Sequence, residues 1–585
     1  MGPTRRWRVL AGLVLAVGVP VSACSGGTSG AVASGLSAPV TSNALGGTLT
    51  LLGQEQVTAW DPQRIASRHD AAVAGRLFVR TLTAYAPVGE NGRSHLVGDL
   101  ATDTGKASAD LKTWTFTLRD KVTWEDGSDV TCADVAYGLS RSFATDVIRG
   151  GARDAVTLLA IPRREDGTST YAGPWASGDQ AQAGQAAYDQ AVTCDGRTVT
   201  FHLATPTSDW AAILSQPALA PVKKEKDPKD TPFAVFSDGP YLLKDRWDPV
   251  TGGVFVRNPR WNADSDPVRK ARPDTIAYHL GVDSATAAHE VLADTGRGHT
   301  SVVMTALPVP LRLQVLTIPN VRSRSITPGT GLVEHLVPNL KSTSMGQLPV
   351  RRALALATDR NAYVTALGGL AAAGPTRSVL PAQLTAAHDT DPLDVPLGGD
   401  PAKARTELEA SGLALPVPLR VAYRQGPSAD KAMAALSRGW DAAGFATELV
   451  PLGEDYFTQA SAPEAASQYD VMWSSWAPTW DSGATVLPAL FDPTVNLTAT
   501  GTGRDLGSYD APEVTRAMVD AAGLADTNAR EKAWRAIDIE LQRDVAYIGL
   551  AERRAMFVAG TGVGNLAAHP FAGGDPDLAV LGVLP

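Results

Sequence analysis

Three tryptophans, Trp473, Trp476 and Trp480, fall within eight residues and run into Asp481-Ser482-Gly483. An indole offers a flat apolar wall and one N–H donor, which suits a packed core or a cleft that closes on an organic ligand. Trp473 lies inside the apolar run Val471-Met472-Trp473 and reads as core. Trp476 and Trp480 lie beyond the expected strand end, among Ser, Pro and Gly, where ligand contact and core packing are both open. Catalytic chemistry has no comparable signal. There is no G-x-S-x-G, H-E-x-x-H, Walker A or dinucleotide fingerprint, and none of the nine histidines is paired at i, i+4. Gly560-Thr561-Gly562-Val563-Gly564 lacks the spacing of a phosphate loop and reads as a turn. The expectation is a protein that binds rather than catalyses, without metal or cofactor.

The three cysteines carry different chemistry. Arg5, Arg6 and Arg8 precede an apolar run from Val9 to Val21, too short for the roughly 20 residues of a membrane span. It ends in Val21-Ser22-Ala23-Cys24, which resembles the bacterial lipobox, where cleavage precedes the Cys and its sulfur takes a diacylglycerol. Residues 1–23 are therefore expected to be a lipoprotein signal peptide, and Cys24 the lipidation site. Residues 24–46, rich in Gly, Ser, Thr and Ala, read as a flexible linker to an anchored, extracytoplasmic body. Cys132 and Cys194 remain. In an oxidising compartment they admit one disulfide, the alternative being two separate buried thiols.

Positioning these residues requires a large body. The chain has 585 residues, 44% apolar and 19% charged, which excludes wholesale disorder, collagen and a coiled coil. A net charge of −9 with mixed signs argues against nucleic acid as partner. Thr113–Leu118 and Thr198–Leu203 alternate with period two and read as strands, and Thr131-Cys132-Ala133-Asp134 reads as a capping box. Ala152–Asp189 is weakly patterned and reads as loop with short helices. Leu348-Pro349 opens a helix with Val350, Ala353, Leu354 and Ala357 on one stripe, and Asp400-Pro401 opens another. Leu419–Tyr423 reads as a strand and Ser428 as a helix cap. Met433, Leu436, Trp440 and Ala443 form that helix's apolar face, Gly444 its stop, and Thr447–Val450 the next strand. Alternating strand, helix and strand predicts an α/β fold with a parallel sheet, whose ligands bind beyond the carboxyl ends of the strands.

A series of segments then lines up in order. Asp99-Leu100-Ala101 is followed by Trp114-Thr115-Phe116-Thr117-Leu118-Arg119 and Trp124-Glu125-Asp126-Gly127. Thr131 to Arg141, Gly239-Pro240-Tyr241, Arg257-Asn258-Pro259 with Trp261, Val350-Arg351-Arg352-Ala353-Leu354 through Asp359-Arg360, and Tyr509-Asp510-Ala511-Pro512-Glu513 continue it. Together they resemble the family-5 solute-binding proteins of ABC importers, the oligopeptide-, dipeptide- and nickel-binding group. The lipobox and an arginine-rich composition fit a lipoprotein of actinobacterial type.

The resemblance implies a two-lobed periplasmic-binding-protein-like fold with a hinge and an extra subdomain in the N-terminal lobe. Lobe I would span 47–300, including an insertion at about 86–215. Lobe II would span 301–544, and 545–585 would return to lobe I. The function implied is capture of a peptide or peptide-like solute by hinge closure, with delivery to ABC permease subunits in the membrane, by a monomer. The alternative is a sensory or interaction lipoprotein, or a receptor for a metal chelate or sugar, on the same fold. The family's Trp-x-x-Asp motif, whose Asp pairs with a peptide amine, falls on Trp476 to Thr479, so Thr479 stands where the acid is expected. Asp481, two residues on, is the candidate replacement, and Trp480 a candidate wall. Arg424, at a strand end, resembles the carboxylate-binding Arg of dipeptide receptors, or is a solvent-exposed loop residue.

Overall fold

The computed structural model describes residues 39–585 except 90, 91, 230 and 499. The leader 1–23 and Cys24 lie outside the described residues. Strand Thr48–Leu52 is buried at every position after its first, as a strand covered on both faces must be. It pairs in parallel with Thr275–His279 on one side and Ser301–Val303 on the other. Gly252–Arg257 and Tyr241–Leu243 extend the sheet antiparallel, giving five strands. The core beneath is aromatic: Trp60 meets Phe78 and Trp247 edge-on at 5.4 and 4.9 Å, and Phe78 stacks on Phe255 at 5.5 Å.

Within the same half of the chain, a separate four-stranded antiparallel sheet runs Lys106–Ala107, Thr113–Thr117, Thr198–His202, Val192–Asp195 in spatial order. Its alternation turns Trp114, Phe116 and Phe201 onto one face, where Trp210 joins them. Thr131 caps the helix Cys132–Arg141 in a reciprocal box with Asp134. Cys132 at that helix start and Cys194 in the last strand are joined by a disulfide with a Cα–Cα distance of 5.8 Å. The weakly patterned stretch holds a short helix, Asp154–Leu158, and a longer one, Asp179–Ala191.

The second half builds a six-stranded sheet in the order Ala373–Pro375, Ile548–Arg554, Gly329–Pro338, Val471–Trp476, Val417–Arg424, Phe445–Leu452. Val417–Arg424 and Phe445–Leu452 are parallel and joined by the helix Pro427–Ala443. Met433, Leu436, Trp440 and Ala443 all sit in the core, and Gly444 ends the helix at φ 108°. The helix N-terminus differs from expectation. Pro427, whose fixed φ suits the first helical position, begins it, so Ser428 lies inside the first turn and makes no cap. The sheet is also mixed rather than parallel, because Gly329–Pro338 runs antiparallel to both neighbours. That pairing carries its neighbour as far as Trp476, opposite Val333. Trp476 is therefore a strand residue; Ser474 and Ser475 interrupt the apolar run and hide the continuation.

The chain passes between the two sheets twice. Ser301–Val303 belongs to the first sheet and Ile548–Arg554 to the second, so the chain crosses between the sheets after 303 and again after 554. Near them Ser325–Ile326 pairs with Phe557–Val558, and Val302 bridges Ala559. The returning segment adds Val563, Leu566, Leu578 and Leu581 to the first core.

Candidate ligand-binding site

The helix Arg68–Leu77 starts where Ser67 accepts from the Asp70 amide at 3.3 Å. Arg68, Ala71 and Ala72 from this helix line a cavity of about 440 Å³, within the range of small-molecule sites. Tyr85 and Phe571, whose rings lie 4.5 Å apart, supply an aromatic stretch of its wall. Gly150 and Gly151 supply a bare one. A Cβ on Gly151 would come within 2.4 Å of the Gln63 carbonyl oxygen, and its φ of 67° already favours glycine. Thr479 is the residue of the second half that joins this wall.

Just past Thr479 the two halves of the chain are bonded together. Trp480 Nε1 donates to Asp209 Oδ2 at 2.9 Å, and its ring packs against the core of the inserted sheet. Arg530 Nε lies 3.3 Å from the other Asp209 oxygen and 3.2 Å from Glu531. The Asp481 amide donates to the Tyr85 hydroxyl at 2.9 Å. Burial pushes the Tyr85 phenol well above its ordinary range, so it stays protonated. Burial, with Asp209 and Asp481 nearby, pushes Glu531 up to about 7.

The candidates read from the sequence separate into different roles. Both carboxylate oxygens of Asp481 accept from Thr385, from its amide at 2.6 Å and its hydroxyl at 2.8 Å, and Asp481 is not on the cavity wall. Trp476 donates to the Thr485 carbonyl at 2.7 Å and packs on the core around Trp534. The Arg504 guanidinium lies 5.7 Å from its ring centre. Trp473 donates to the Tyr363 hydroxyl at 3.2 Å within the second core. Arg424 is the exposed last residue of its strand and does not line the cavity.

Residues 95–497 match the family described as bacterial extracellular solute-binding proteins, family 5 Middle. The chain belongs to this family. Among curated family-5 relatives it is 25% identical over 285 residues to the dipeptide-binding protein DppE of Bacillus subtilis, covering 47% of this chain and 46% of DppE. It is 26% identical over 309 residues to the glutathione-binding protein GsiB of Salmonella typhi, covering 52% and 51%. The chain thus spans about half the length of the curated relatives it matches. A solved structure titled clavulanic acid biosynthesis oligopeptide binding protein 2 superposes with a TM-score of 0.81 at 26% identity, over 94% of this chain and 98% of the other. The unliganded open form of the periplasmic murein tripeptide-binding protein MppA shares the fold, at a TM-score of 0.71 and 20% identity. The architecture is thus the two-lobed α/β fold of periplasmic binding proteins.

Several residues that shape this cavity and its surroundings have no sequence signal. Arg68, Tyr85, Asp209, Thr385 and Phe571 sit in unrelated segments, and only the fold brings them together. A Ser-x-x-Asp cap at Ser67–Asp70 was the one local cue that a helix begins beside the cavity.

Proposed function

We propose that this chain is the lipid-anchored, extracytoplasmic receptor of an ABC importer. It captures a peptide or peptide-like solute between two lobes and hands it to a membrane permease. The observation that carries the reading is the cavity of about 440 Å³, whose wall comes from the first half of the chain and the C-terminal return except at Thr479. A ligand there touches both halves only when they are together, which is the requirement for capture by closure. Lobe I comprises the first five-stranded sheet with its insertion and the C-terminal return, and lobe II the six-stranded sheet. Thr479 contacts the ligand. Trp480 and Asp481 hold the lobes shut through Asp209 and Tyr85, with Trp476 supporting them from below. Cys24 anchors the body as a lipidated residue.

Trp480 provides the readout. Lobe opening separates its indole from Asp209, so a captured ligand changes tryptophan emission with a saturable titration. Screening a peptide library by emission and thermal shift is expected to find such ligands. Silence with every peptide, alongside saturation by a sugar or metal chelate, would replace the ligand class. W480F is expected to lose most of the emission change and, having lost the bond to Asp209, to bind more weakly by calorimetry.

A further inference from the structure

Charge in the cavity is one-sided. Three guanidiniums and one imidazole line it (Arg68, Arg76, Arg269 and His569), and among the described residues no Asp or Glu does. Two of the guanidiniums are already matched: Arg76 lies 2.9 Å from Asp577, and Arg269 lies 2.9 Å from Asp99 and 3.1 Å from Asp266. Burial, with Arg76 adding to it, drives His569 down to about 3, so its ring is neutral. Arg68 is different. Among the described residues no carboxylate lies within ion-pair distance of it, and its hydrogen bond, to the Ala477 carbonyl, is long at 3.4 Å. The carboxylate whose field reaches it, Asp575, is held by His69 at 2.6 Å. Arg68 is exposed at the cavity wall, so its guanidinium is open to an incoming anion. The acid expected to receive an amine is also occupied, because Thr385 takes both oxygens of Asp481.

We propose that the site takes an anion: a compact ligand with an apolar body whose carboxylate docks on Arg68, and which carries no free ammonium group. An N-blocked peptide acid has this chemistry. This rests on the cavity being the capture site proposed above. Arg68 supplies a planar fork that matches a carboxylate, Tyr85 and Phe571 supply the apolar wall, and an ammonium would find no carboxylate among the described lining residues.

The test is a calorimetric panel of N-acetylated dipeptide acids, each paired with its C-terminal amide, against the full-length protein in detergent. The best acids are expected to bind roughly 10- to 100-fold more tightly than their amides, the worth of a hydrogen bond to a charged group. R68Q is expected to erase that difference with the thermal midpoint unchanged, and R68K to restore part of it. No acid binding better than its amide, or an acid preference that survives R68Q, would overturn the proposal. So would free-amine dipeptide amides binding as well as the acids. Phenylacetate and related simple acids separate the two ideas. If they bind through Arg68 while every peptide is silent, the anion site stands and the peptide reading fails. If peptides bind regardless of terminal charge, the peptide reading stands and the anion site fails.

Discussion

Asp209 holds the second half of the chain by two different groups, the Trp480 indole and the Arg530 guanidinium. Truncating it leaves the Trp480 indole without its acceptor and Arg530 with Glu531 as its remaining carboxylate. D209A is therefore expected to weaken ligand capture by roughly tenfold or more, from a loss of about 1.5–3 kcal/mol for hydrogen bonds to a charged group. Fluorescence titration measures this, and an unchanged dissociation constant would show that closure does not use the bond. Glu531 has the opposite sense. Its folded pKa of about 7 lies above the ordinary carboxylate value, so the folded state holds the proton more tightly than the unfolded chain. This residue's contribution to stability is therefore largest below about pH 4.5, falls as pH rises towards 7, and is a net cost beyond. E531Q is expected to flatten that part of the melting-temperature profile between about pH 5 and 7.5 and to gain stability at about pH 8. Parallel profiles for the two proteins would refute the assignment.

At the scale of elements, the disulfide ties the helix Cys132–Arg141 to the edge strand Val192–Asp195 of the inserted sheet. It closes a loop with a sequence separation of 62, so the chain-entropy argument gives about 4 kcal/mol. Replacing both cysteines with serine is expected to lower the melting temperature of that sheet first, visible as early loss of near-UV signal from Trp114 and Trp210. Coincident melting of both proteins would contradict this. Elements with local signals were legible in advance. The Thr131 box, the Leu348–Ala357 stripe and the strand–helix–strand unit around Trp440 each have caps, periods and stops within a few residues. What was not legible depended on distant pairing. The Val471 strand reaches Trp476 where Gly329–Pro338 lies beside it. The cavity was hidden for the same reason, since Arg68, Tyr85, Thr479 and Phe571 share a wall without sharing any sequence pattern.

At the scale of the molecule, the first core is completed by residues that come last. Leu566, Leu578 and Leu581 pack into it, and Asp577 neutralises the buried Arg76 at 2.9 Å. Each of those leucines contributes about 1.5–3 kcal/mol by burial, and removing Asp577 strands a cation. A chain ending after Gly560 is therefore expected to lose cooperative unfolding of the first half, while the sheet around Trp440 keeps its own transition. A single native-like transition in calorimetry would contradict this.

The same closure by late residues orders events during synthesis. The strands of the second sheet lie between Gly329 and Arg554, so that sheet is complete before the segment that seals the first has been made. The early half must wait, unsealed, for most of translation. For the exported receptor proposed above that delay is a gain: the half that leads the way out cannot lock until the trailing end has followed.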